Sequence, residues 1–177
     1  VRIIRLRSKH QQSMQNAGGM TAVAAPREEV EALLAHPSLD GLEVVVSGEN
    51  SPRSTTVAGD ASALASFESI LQERSIGWKR LDLPYPFHSP SMDTVVPGFA
   101  EELGELFVSP PSLPFYSTVT GKKTDGPLTS DYWEKNIREP VLFRQALEAA
   151  AGDGHRVFVE IGPHPVLTSH VLHTLQG

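Results

Sequence analysis

Apolar and polar residues along the chain change period several times, and each change marks an element. Residues 1–16 place Ile3, Ile4 and Leu6 on one side of a predicted helix, which Ala17-Gly18-Gly19 ends. Residues 20–25, "MTAVAA", read as a strand. Pro26 then opens a short helix, with Glu28 and Glu29 in the first turn where the helix dipole favours acids and Val30, Leu33 and Leu34 as its apolar stripe. "LEVVVS" (42–47) and "TTVA" (55–58) read as strands around a turn at 48–54. Asp60 caps a helix whose Leu64, Phe67, Ile70 and Leu71 share one face, and "WKRLDL" (78–83) reads as a fourth strand. The order strand–helix–strand–strand–helix–strand is the split β-α-β of ferredoxin-like folds.

Beyond residue 86 the pattern turns to helices and isolated strands. Ser89-Pro90 opens a helix carrying Met92, Val95, Val96, Phe99, Leu103 and Leu106, which Pro97 must kink or delay. A strand and turn at 114–121, helices at 129–137 and 142–151, a buried strand at 157–162 and a last helix at 165–175 follow. The whole reads as α/β: an α/β layer beside a ferredoxin-like (βαββαβ) insert.

Composition narrows the function classes. The 177 residues are 40% hydrophobic and 20% charged, as in globular domains, and the formal net charge of −6 disfavours nucleic acid as a partner. No cysteine is present, which excludes thiolate nucleophiles, thiolate metal sites and disulfides. No apolar run is long enough to cross a membrane, and the N-terminus lacks a signal peptide's apolar core. The chain starts inside a helical pattern without a capping residue and reads as a piece of something longer.

Of the seven histidines, His10, His36 and His155 lie in polar or loop contexts and read as surface residues. His170 and His173 share the last helix, without the i, i+4 spacing or third ligand that a metal needs. His164 precedes a predicted helix start, where its backbone matters more than its ring. His88 stands apart. In "LPYPFHSPSMD" (83–93) it follows Pro84 and Pro86, whose rings pre-set the backbone. That is the fixed placement a general base needs, and equally what a satisfied histidine in a junction loop would show. Arg7, in the first helix, is either an ordinary surface residue, as Arg2 and Arg5 read, or a planar fork for a carboxylate. A nucleophilic serine would sit in a GxSxG elbow, and no such elbow occurs; Ser47 and Ser51 lie between strands without the glycine spacing.

Six segments in order resemble the acyltransferase domain of modular polyketide synthases, of the malonyl-CoA:acyl carrier protein transacylase family. They are "LRS" (6–8), "GGMTAV" (18–23), "VSGENSPRSTTVAG" (46–59), "YPFHSPSMD" (85–93), "WEKNIREPVLF" (133–143) and "EIGPHPVL" (160–167). The resemblance implies part of a large α/β-hydrolase-like subdomain, at 1–17 and 87–177, and a ferredoxin-like small subdomain at 18–86. It implies His88 as the catalytic base of a serine–histidine dyad, with the serine elbow before Val1, so that this chain is the C-terminal part of the domain and inactive alone. It implies Arg7 as the partner of the malonyl carboxylate, and the backbone carbonyl of Asn136 as the group orienting His88. Phe87 and Tyr85 fall in the motif that correlates with the extender unit: Phe87 argues for malonyl over methylmalonyl, while Tyr85 resembles the methylmalonyl pattern and Pro86 matches neither. The expected reaction moves a malonyl-type unit from coenzyme A, through an acyl-serine, to the phosphopantetheine thiol of an acyl carrier protein, with no metal and no resident cofactor. Expected partners are the carrier protein, an upstream ketosynthase and the N-terminal part of the acyltransferase domain, in the cytoplasm. The competing expectation is a non-catalytic ferredoxin-like module that docks a carrier protein or synthase partner.

Overall fold

The computed structural model describes residues 1–176. Helix α1 (Arg2–Gln11) runs into a 3-10 turn (Gln12–Met14) and then β1 (Gly19–Val23). There follow α2 (Arg27–Leu34), a 3-10 turn (Pro37–Leu39), β2 (Val44–Ser51), β3 (Ser54–Gly59), α3 (Ala61–Glu73) and β4 (Trp78–Arg80). A 3-10 turn (Pro90–Thr94) leads into α4 (Val96–Leu103), the hairpin β5 (Phe115–Ser117) and β6 (Lys122–Thr124), α5 (Ser130–Arg138), β7 (Val141–Leu142), α6 (Phe143–Gly152) and α7 (Thr168–Leu175).

The main sheet has the order β4-β1-β3-β2-β7. Its first four strands are antiparallel neighbours in the ferredoxin-like arrangement, and β7 joins β2 in parallel through Gly48–Val141 and Glu49–Leu142. Val23, Val30, Val46, Val57, Leu64, Phe67 and Leu71 close a core between this sheet and α2 and α3. A second core joins Leu6 of α1 to Met92, Val95, Phe99, Leu103 and Ile137, so the helices on either side of the insert pack on one another. Gly18 is needed at the joint: a Cβ there would collide with the Gly59 carbonyl and press on Pro86.

Several expectations change. β2 runs on to Ser51, because two bulges let Gly48, Glu49 and Ser51 keep pairing with β3, and the expected turn shrinks to Pro52-Arg53. β4 stops at Arg80, and Ile4 points to solvent while Leu6 is buried. The helix expected after Ser89-Pro90 starts as a 3-10 turn and becomes α-helical at Val96, where Pro97 takes a first-turn position. The buried strand expected at 157–162 does not form: Val157, Val159 and Ile161 are 85%, 76% and 96% exposed. A strand needs a neighbour to satisfy its backbone, and among the described residues none lies beside this segment. Instead it forms a wall of an open 1110 Å³ groove with α6 and α7, lined by Leu113, Leu147 and Leu172 among others. Among the described residues no helix is long and apolar enough to cross a membrane.

Candidate active site

The loop that carries His88 is pinned along its length. The Asn16 amide donates to the Pro84 carbonyl at 2.7 Å, and the Ser89 hydroxyl donates to the Pro86 carbonyl at 2.6 Å. Ser89 is fully buried and its proton is committed to that bond, so the serine beside His88 has no free hydroxyl to offer as a nucleophile. His88 itself has φ +59°, the left-handed region that side chains other than glycine occupy infrequently. A backbone held there by its neighbours is a common mark of functional positions.

The ring is anchored from across the fold. His88 Nδ1 lies 2.8 Å from the Glu139 carbonyl oxygen. A carbonyl can only accept, so Nδ1 carries the proton and Nε2 keeps its lone pair. Burial lowers the pKa of His88 to about 4, the Glu139 carbonyl opposes that shift, and the nearby Arg7 cation adds to it. The imidazole is therefore neutral at pH 7, the state in which it can take a proton.

The carbonyl expected in this role was that of Asn136. Asn136 is still inside α5, where carbonyls run along the helix axis, whereas Glu139 has left it. Pro140 bars its predecessor from helical geometry, and Glu139 is extended, with φ −77° and ψ 153°. Its carbonyl is thereby turned out of the helix toward His88. The side chain of Asn136 serves Arg7 instead, and its Oδ1 accepts from Arg7 Nη1 at 2.8 Å. Arg7 is half-buried, and loss of solvent lowers its pKa. Its Nε is buried without a partner among the described residues. A desolvated guanidinium with one nitrogen held and a donor unspent is prepared for an anion.

Tyr85 and Phe87 stack with centroids 4.9 Å apart and planes 3° from parallel, and Phe87 also packs on the second core. His88, Arg7 and Asn136 are thus brought together, and the stacked pair precedes His88 in the chain, Phe87 by one residue and Tyr85 by three. The Glu139 carbonyl escaped the sequence reading, although a proline directly after a helix is the signal that frees such a carbonyl. Also missed was Glu49, which fell in the expected turn at 48–54 and lies instead in the polar second half of β2. It is buried and accepts from Arg144 Nη1 at 2.9 Å and Gln145 Nε2 at 2.6 Å.

The chain belongs to the acyl transferase domain family, whose model matches residues 1–177. Among curated relatives it is 36% identical over 176 residues to erythronolide synthase EryA2 of Saccharopolyspora erythraea, covering 99% of this chain and 5% of that protein. It is 33% identical over 174 residues to the mycoketide-CoA synthase of Mycobacterium tuberculosis, covering 98% of this chain and 4% of the relative. The acyltransferase domain from module 8 of the salinomycin polyketide synthase superposes with a TM-score of 0.92 at 30% identity, over 98% of this chain and 41% of that one. The acyltransferase domain of the Mycobacterium tuberculosis polyketide synthase PpsC gives 0.89 at 31% identity, over 99% and 53%. The chain therefore spans a small part of the synthases it matches and about half or less of these two solved chains.

Proposed function

We propose that this chain supplies the general base and the carboxylate-binding residue of a polyketide acyltransferase, and that a serine outside these 177 residues is the nucleophile. The observation that carries the proposal is the bond from His88 Nδ1 to the Glu139 carbonyl, which leaves Nε2 free on a neutral ring. The serine hydroxyl gives its proton to Nε2 as its oxygen attacks the thioester carbonyl. The imidazolium then returns the proton to the departing coenzyme A thiolate, and an acyl-serine remains. In the second half, the carrier's phosphopantetheine thiol gives its proton to Nε2 and attacks the ester, and the serine oxygen leaves reprotonated. The Glu139 carbonyl keeps the tautomer fixed through both halves and stabilises the transient charge.

Arg7 is the group for the free carboxylate of a malonyl-type unit. Asn136 holds one of its nitrogens, which sets the plane of the fork. The Phe87 ring, held by its stack on Tyr85, supplies bulk that favours malonyl over methylmalonyl. The family match and the assembled site leave the non-catalytic docking module without support.

The test combines the chain with the serine-bearing segment of its own acyltransferase domain and follows acyl-enzyme formation from malonyl-CoA. His88→Ala should slow it by ~10²–10⁴-fold, the scale of a positioned general base. In the intact system the acid limb of kcat/KM should fall well below pH 6.5, because the ring stays neutral to about 4. Loading by the His88→Ala protein at the unsubstituted rate would remove His88 from the mechanism.

A further inference from the structure

The residues from Glu139 to Gln145 form a short strap with three attachments. Its first residue gives the carbonyl that holds His88 Nδ1, at 2.8 Å. Its middle is β7, which pairs in parallel with Gly48 and Glu49 of β2, while the Leu142 amide donates to the Thr118 carbonyl at 2.7 Å. Its end, the first turn of α6, carries Arg144 and Gln145, and both donate to the carboxylate of Glu49. Glu49 is 3% exposed, and Arg27 of α2 stands a further 3.9 Å from it. A buried carboxylate is costly unless paired, so these donors are held to it firmly.

We propose that Glu49 is a positioning residue for the catalytic histidine: its carboxylate fixes the far end of the strap whose near end, the Glu139 carbonyl, sets the tautomer and orientation of His88. β7 has only two residues, so its ladder is a weak restraint, to which the Leu142 and Glu139 amide bonds add one each. The Glu49 anchor is the charged, buried restraint at the far end of the strap. Among the described residues the His88 ring is hydrogen-bonded to Glu139 and not to Glu49, Arg144 or Gln145, so the effect passes through the backbone of the strap. The inference rests on the acyltransferase reading for its functional meaning, but the His88–Glu139 bond can be read without any acyl transfer.

The experiment is 15N–13C NMR of the histidine rings in the 177-residue chain above pH 6. The unsubstituted protein should show His88 as the Nδ1–H form. Glu49→Gln keeps the shape of the side chain and removes its charge, and Arg144 then retains Glu148, 2.8 Å from its Nε, as its carboxylate partner. The Nε2–H form of His88 should then appear and the Nδ1–H signal should shrink. Glu49→Asp, which restores the charge, should recover part of the original signal.

Glu68→Gln is the control, because Glu68 is also a buried carboxylate of this unit, bonded to Arg80 and Thr21. It should lower the melting temperature and leave the His88 tautomer as it was. If Glu49→Gln does not fold, Gln145→Ala removes one anchor from a helical site that tolerates alanine, and it should give a smaller shift in the same direction. An unchanged tautomer in the folded Glu49 or Gln145 variant overturns the proposal, as does an equal change in Glu68→Gln. With the serine-bearing segment restored, Glu49→Gln should lower kcat by about tenfold, the scale on which outer partners of a functional histidine act, with little change in KM. A tautomer shift in a system that never acylates would sink the acyltransferase reading and leave the strap intact.

Discussion

The ferredoxin-like unit and the chain beyond residue 155 carry apolar residues at similar strand-like spacing, yet they treat them in opposite ways. In the first, Val57, Leu64, Phe67 and Leu71 are completely buried and every strand has a hydrogen-bonded neighbour. In the second, Val157, Val159 and Ile161 face solvent, and α7 has no buried residue at all. The side chains are of the same kind, so hydrophobicity is not what separates the two regions. The difference is the presence of a second layer. α3 packs back over β1, β2 and β3, whereas nothing in the described residues covers 157–162 in that way. A stretch of alternating valines is only half of a structural instruction.

The largest test of that contrast is a pair of truncations. Phe67→Ala should cost about 3–5 kcal/mol, the range for emptying a well-packed aromatic site, and Val159→Ala less than about 0.5 kcal/mol, as at an exposed position. Urea denaturation measures both. Hydrogen exchange gives the same contrast without substitution: amides of β1 and β3 should approach global protection and those of 157–161 should exchange almost freely. Equal protection would mean that residues 157–161 pair with a neighbour in solution.

A second, smaller effect concerns acid. The unfolded chain takes a proton at His88 near pH 6.5, and the folded chain holds the ring neutral down to about 4. Between those values the unfolded state binds more protons, so stability is fully present above pH 6.5 and falls as the pH drops toward 4. The urea midpoint should therefore decrease from pH 7 to pH 5, and His88→Asn should reduce that decrease. An identical decrease in the variant would show that other groups cause it.

The smallest effects compare two carboxylate caps. Asp60 Oδ1 accepts from the Ser62 and Ala63 amides at 2.8 Å each, and those bonds hold its pKa below the usual carboxylate value. Glu160 takes the Val166, Leu167 and Thr168 amides at the start of α7, and its pKa is lowered likewise. Asp60→Ala should cost about 1 kcal/mol of global stability, because α3 is part of a cooperative core. Glu160→Ala should fray α7, seen as faster exchange there, and leave the urea midpoint unchanged.

What could be read in advance follows the same division. The ferredoxin-like unit was legible because each element carries its own local signal: Asp60 at a helix start, Pro26 before another, a run of valines bounded by glycines. His88 and Arg7 were legible as unusual residues in stiff or helical settings, and the family resemblance gave them roles. The carbonyl that orients His88 was misplaced by three residues, since backbone atoms leave no trace in side-chain patterns and only Pro140 marks the spot. β7 was not foreseen, because two residues hold no periodicity. Glu49 was overlooked for a related reason: it fell in the expected turn at 48–54, where an acid reads as exposed until its partners, distant in sequence, are seen around it. The strand expected at 157–162 failed where local pattern demands a neighbour that these residues do not contain.

The parallel pairing of β7 with β2 also bears on how the site comes into being. Gly48 and Val141 are far apart in sequence, and a two-residue strand has almost no tendency to form before the edge it docks on exists. The edge of β2 has to exist before β7 can dock on it, and the His88 loop is itself tied to a distant part of the chain through the Asn16 amide and the Pro84 carbonyl. The hold of the Glu139 carbonyl on the His88 ring therefore depends on contacts between segments far apart in sequence, and a partly folded chain would leave that ring unaligned.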